Sequence, residues 1–222
     1  MNEPVSYSLI WKEPAAALSH FAGFVAGIVG LCVLVLHSPA DGPKVASMAI
    51  YGSTLVALFG ASSAYHFFDL GERGNKVLRR FDHAAIFLLI AGTALPVLMH
   101  MLDGPWRVTM IAITWGLAAL GVLFKMTWFG CPRWLDAGMY LALGWLVVIP
   151  FPVMWPRFTS MQVVWLAAGG FAYTVGAIVY ALKRPDPWPG VFGFHEVWHL
   201  FVLAGAAAHF GLAYSLIGVA CP

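Results

Sequence analysis

Charge is what this chain has least of. Only 10% of its 222 residues are Asp, Glu, Lys or Arg, against about 25% in a soluble domain of ordinary composition. With 61% hydrophobic residues and a mean hydropathy of +0.81, it has too little polar surface to cover itself in water. That excludes a soluble globular protein and makes a bilayer the fitting solvent. Cysteine is also scarce. Cys32, Cys131 and Cys221 are odd in number and lack metal-site spacing; Cys32 falls mid-span and the other two on opposite sides of the membrane, so no disulfide is expected. A net charge of +2 is too small to suggest a nucleic-acid partner. The opening "MNEPVSYSLIWKEP" contains acids and prolines and lacks the basic region and cleavage site of a signal peptide. The first membrane helix is therefore expected to stay in the mature protein.

In place of charge there are long apolar runs. Seven can cross a hydrocarbon core, near 18–36, 45–68, 84–102, 108–126, 135–154, 163–182 and 195–219. Nothing alternates like a barrel strand, and an open sheet cannot satisfy its edges in lipid, so all seven are predicted as helices. Proline, glycine and charge mark the breaks, as in "SPADGPK", "DLGERGNKVLRR" and "KRPDPWPG". The connections are short and no internal repeat is visible. The expected fold is an all-α integral membrane protein, one seven-helix bundle over residues 1–222, with a short cytoplasmic segment at 1–15. Nine of the twelve Lys and Arg residues fall on the N-terminal side of the membrane or in the loops that share it. The positive-inside rule then places the N-terminus in the cytoplasm and the C-terminus outside. A multi-pass protein of the plasma (inner) membrane is expected.

An ionisable group inside a span is costly and points to function. Of eight histidines, five collect at the cytoplasmic level: His20, His66, His83, His195 and His199. His37, His100 and His209 lie elsewhere and are expected to be hydrogen-bonded structural residues. The segment "HEVWH" at 195–199 has the H-E-x-x-H pattern of helical zinc hydrolases. His195 and His199 stand one turn apart on one helix face, as two ligands of one metal should. The protease reading fails at its third ligand: no Asp or Glu follows Glu196, and His209 is about 15 Å further along the helix. His66 is the best third ligand because it also sits within a span at this level; His20 and His83 are the reserves. Asp82 is expected beyond the ligands, holding a water or an imidazole. Ser62 is one turn from His66 and could donate to an oxyanion. Glu196, at the water boundary, could be a base or simply solvated. Imidazole ligation suits zinc, but also copper, nickel and iron.

"EPAAALSHFAGF" before the first span, "SSAYH" in the second, "FDHAAIFLLIAGTALP" in the third and "HEVWHLFVLAGAAAHF" in the seventh resemble the hemolysin III proteins of bacteria. These belong to the progestin and adiponectin receptor (PAQR) group, distantly similar to alkaline ceramidases. "LGW" in the fifth span and "GGFAYTVGAIVYALK" in the sixth extend the resemblance over nearly the whole chain. It implies a seven-helix bundle with zinc on His66, His195 and His199, Asp82 contacting the metal through water, and Ser62 as the motif serine. Glu196 would be incidental to the metal. The expected function is zinc-dependent hydrolysis of a membrane lipid amide or ester, tied to lipid homeostasis. The alternative is a membrane-state sensor with structural zinc. A pore-forming toxin is disfavoured by the absence of an amphipathic lumen-lining stretch.

Overall fold

The computed structural model describes residues 12–128, 130–188 and 191–217. Among these the chain is all-helical: α1 (Pro14–His37), α2 (Gly42–Phe67), α3 (Gly71–Met101), α4 (Gly104–Thr127), α5 (Arg133–Gly144), the short α6 (Phe151–Met154), α7 (Ser160–Leu182) and α8 (Phe194–Leu216). Six are long and apolar enough to cross a membrane. The segment from Arg133 to Arg157 makes a seventh if its two bent halves count as one span. This is a multi-pass integral membrane protein. The expected segment 1–15 lies largely outside the described residues, as do positions 218–219 of the last predicted span and Cys221.

Local chemistry sets the boundaries. Pro14 opens α1, and Asp41 caps α2 by accepting the Lys44 N–H at 3.4 Å. Thr159 and Gln162 form a reciprocal capping box at the start of α7. Lys183 ends that helix in the left-handed conformation, with φ of 55°.

Three expectations need correction. The basic run "DLGERGNKVLRR" is predicted as a break, but α3 starts at Gly71 and carries these charges as extra helical turns, with Lys76 bonding Glu72 at 2.6 Å. The fifth span is not continuous: it passes through a tight turn at Trp145–Val148 and bends by 41° before α6. Pro150 sits at the break, where it has no N–H to give and its ring displaces the preceding turn. Nearby carbonyls recover the broken backbone, Ile149 N–H bonding Leu146 and Met154 N–H bonding Pro150. Lys125, counted among the basic residues of the loop between the fourth and fifth spans, is instead buried in an ion pair with Asp136 of α5.

Helix faces sort by size rather than polarity. On α1, Gly23, Gly27, Gly30 and Leu34 turn inward while Phe21, Val25, Ile28 and Leu36 face outward. With lipid outside, the large apolar side chains have no reason to hide, and small residues let backbones approach. A methyl group on Gly92 of α3 would collide with Thr54 of α2, and one on Gly121 of α4 with Phe87 of α3. Helix α3 is central: 67% of its most apolar window is buried, against 28% for α1 and α4. Helix α8 packs on α7, α1 and α3 and closes the bundle.

Candidate metal centre

The end of the bundle where α1, α3 and α8 begin and α2 finishes is the end that the basic residues assign to the cytoplasm. His66 is in the last turn of α2, while His195 and His199 occupy the first two turns of α8. Three helix positions thus meet from two antiparallel directions. One nitrogen from each of the three imidazoles lies within 4.8 Å of the others, close enough to hold one metal ion. His66 and His199 are wholly buried. Their rings approach to centroid distances of 4.8 Å for His66–His199, 5.0 Å for His66–His195 and 4.6 Å for His195–His199.

The nitrogens facing one another are chemically idle in the protein. Nε2 of His66, Nε2 of His195 and both nitrogens of His199 are buried without a hydrogen-bond partner among the described residues. A buried polar atom without a partner costs on the order of 1–3 kcal/mol, and four in one place would be an odd investment for a packing motif. A cation would take one lone pair from each of the three rings, so the residues present fit a metal.

His66 is oriented from a direction the sequence did not disclose. Glu13, just before α1, bonds His66 Nδ1 through Oε2 at 2.6 Å. With that proton on Nδ1, the His66 Nε2 lone pair is left for a metal, the carboxylate–imidazole–metal relay that fixes tautomer and ring angle. The strap that carries Glu13 is docked on α2: Glu13 N–H bonds the His66 carbonyl at 3.2 Å, and the Lys12 ammonium lies 3.9 Å over the Tyr65 ring. The hydrogen bond from His66 holds the Glu13 carboxyl below its ordinary pKa, partly opposed by burial. The available signal was an acid abutting the first span at the metal level, in "EPAAALSH".

The remaining predicted residues surround the cluster. Asp82 is buried on α3, with Oδ2 at 3.5 Å from His83 Nδ1, and it is not among the converging ligand atoms. His20 lies in the second turn of α1, which begins at Pro14. Its ring stacks on His199 with centroids 3.7 Å apart, and its Nδ1 is 2.8 Å from Ser62 Oγ. It is a neighbour of the cluster, not a member. His83 is also outside the converging set, and its Nδ1 donates to the Arg79 carbonyl at 3.0 Å. Glu196 Oε2 accepts the Gly193 N–H at 2.8 Å and caps α8. His37 and His100 bond carbonyls one turn back, as expected of structural histidines. His209 departs from that expectation, because both its nitrogens are buried without a partner among the described residues.

A cavity of about 540 Å³ opens beside the cluster. His20, Ser62 and Asp82 line one end, and its walls are otherwise mostly apolar, including Leu58, Ile86 and Val202. Trp145, Val148 and Phe171 line it while being exposed on the outside of the bundle, so its mouth lies between the broken fifth segment and α7. The volume suits a drug- or lipid-sized ligand.

A helical membrane bundle with a buried cluster of three histidines able to hold a metal at one end and an apolar chamber beside it is the class that fold and site define. Residues 9–210 match the haemolysin-III related family, and the chain belongs to it. It is 34% identical to "Hemolysin-3" of Bacillus cereus, covering 90% of this chain and 89% of that protein. With "Hemolysin-3 homolog" of Bacillus subtilis it shares 32% over 90% of this chain and 92% of the relative. "Adiponectin receptor protein" of Drosophila melanogaster is 27% identical over 90% of this chain, which spans half of that longer protein.

Proposed function

We propose that the protein is a zinc-dependent hydrolase of a membrane lipid amide or ester. The observation that carries this reading is the count of ligands. Three imidazoles converge, while Asp82, His20 and Ser62 stand beside them and face the chamber. Three protein ligands with one position left open is the pattern of catalytic zinc, and four is that of structural zinc. Bound by His66, His195 and His199, the metal would polarise a carbonyl and bring the pKa of water from 15.7 to about 7.

The protein's own groups do the rest. An acyl chain enters from the bilayer between the broken fifth segment and α7 and lies along apolar walls that exclude water. That places its carbonyl at the polar end. Asp82, acceptor-only when ionised, orients the attacking water through a carboxylate oxygen and takes its proton. With His20 protonated on Nδ1, Ser62 Oγ accepts that hydrogen bond at 2.8 Å and keeps its own proton for the oxyanion. The names of the bacterial relatives speak of haemolysis. A conducting lumen has polar walls, whereas this chamber is lined mainly by apolar side chains.

The test uses purified protein in detergent with a long-chain N-acyl sphingoid amide and the matching acyl ester. Release of fatty acid should stop on chelation, return with zinc, and be absent in His199→Ala. Turnover indifferent to both changes overturns the proposal. A fourth protein nitrogen on the metal in a zinc-loaded structure would assign the ion a structural role.

A further inference from the structure

His209 and Tyr173 take no part in the metal centre, yet they line the same chamber. Ten residues past His199 on α8, His209 lies about 15 Å further from the metal end at 1.5 Å rise per residue. It shares a helix face with Trp198, Val202 and Leu212, which also line the chamber. Neither ring nitrogen of His209 nor the Tyr173 hydroxyl has a hydrogen-bond partner among the described residues, and all three atoms are buried. The Leu166 carbonyl approaches the imidazole but falls outside hydrogen-bond geometry. The two rings are neighbours, with centroids 5.4 Å apart.

The helices are cut to seat these rings. Gly169 precedes Tyr173 by four residues on α7, and Gly205 precedes His209 by four on α8. A methyl group on Gly169 would overlap the His209 ring, and one on Gly205 would come within 2.8 Å of the Tyr173 ring. Each helix gives up a side chain to admit the other's polar ring. Leu or Phe would serve packing alone at no polar cost, whereas unsatisfied donors and acceptors at membrane depth are expensive. A neutral imidazole and a phenol each donate and accept, so a hydroxyl wedged between them answers both.

We infer that His209 and Tyr173 form a second binding subsite of the chamber, which takes a hydroxyl carried on the chain of a lipid whose carbonyl end lies at the metal centre. The assignment of the carbonyl end rests on the hydrolase reading; the subsite itself does not. A zigzag chain advances roughly 1.2 Å per bond, so about 15 Å corresponds to about 12 bonds. The hydroxyl therefore belongs near the twelfth carbon, far from any headgroup.

Fatty acids, the products of such a cleavage, allow binding to be read without turnover. Octadecanoic, 3-hydroxyoctadecanoic and 12-hydroxyoctadecanoic acids are titrated against the zinc-loaded protein in detergent, with a fluorescent fatty acid as the displaced probe. The 12-hydroxy acid should bind roughly three- to tenfold tighter than the other two, the worth of one net hydrogen bond. His209→Phe and Tyr173→Phe should each erase that advantage; the latter removes one oxygen and keeps the packing. Equal binding of all three acids, preference for the 3-hydroxy isomer, or an advantage that survives Tyr173→Phe overturns the inference. Hydrolysis measured in parallel separates the two readings. Preferential 12-hydroxy binding without any cleavage keeps the subsite and sinks the hydrolase, and cleavage without preference does the reverse.

Discussion

Glu13 shows how much one side chain outside the ligand set can decide. It fixes the His66 tautomer by a 2.6 Å hydrogen bond and does so from the strap before α1. Glu13→Gln should weaken zinc binding by about 10- to 100-fold, the usual cost of losing a carboxylate behind a ligating histidine. Competition against a fluorescent chelator checks this, and Glu13→Asp should fall between the two. Unchanged affinity in Glu13→Gln would reduce the contact to a tie between the strap and α2. Two histidines one turn apart were readable from "HEVWH", and His66 from its depth. The Glu13 partnership was not, because 53 residues separate the pair and nothing in either local sequence names the other.

At the scale of elements, two sets of ion pairs tie separate helices together. Lys125 of α4 and Asp136 of α5 are paired out of contact with solvent. Breaking such a pair leaves a bare buried charge and costs about 3–5 kcal/mol, while replacing both partners by apolar groups is often neutral. Lys125→Met should therefore lower the melting temperature in detergent sharply, and adding Asp136→Leu should restore most of it. At the opposite end, Asp103 in the turn between α3 and α4 bonds Arg157 at 2.6 Å and Arg107 at 2.5 Å, joining that turn to the end of the broken fifth segment. The hydrogen bond to Arg157 lowers the Asp103 pKa. A carboxyl lowered from an unfolded value of about 3.9 stabilises fully above that pH and ceases to as pH falls through its folded value. The wild type should thus lose thermal stability below about pH 4 more steeply than Asp103→Asn, whose melting curve lacks that contribution. Coincident acid limbs would discount the tie.

For the whole molecule, the metal is expected to act as a clasp between α2 and α8, two segments far apart in sequence. A ligand that binds only the folded state at 100 times its Kd adds about 2.7 kcal/mol. Zinc should raise the melting temperature accordingly, and His199→Ala should remove the response while leaving the apo protein folded. Orientation belongs to this scale too. A reporter fused to the N-terminus should be active in the cytoplasm and one fused to the C-terminus outside, following the basic residues. The opposite pattern would put the metal centre against the outer leaflet.

The sequence by itself determined the medium, the number of apolar runs and the level at which histidines gather, since each depends on composition or on spacing along one chain. Most helix termini were close to legible because caps and prolines act within a few residues; the start of α3 at Gly71 and the break in the fifth segment were not. Only the tertiary structure decided which histidines share a centre, that His20 turns to Ser62 while Glu13 serves His66, that Lys125 is buried, and that the fifth segment is broken beside a chamber. Those outcomes depend on close approach of helices remote in sequence, where a missing Cβ or a single hydrogen bond selects the partner, and local pattern carries no record of that.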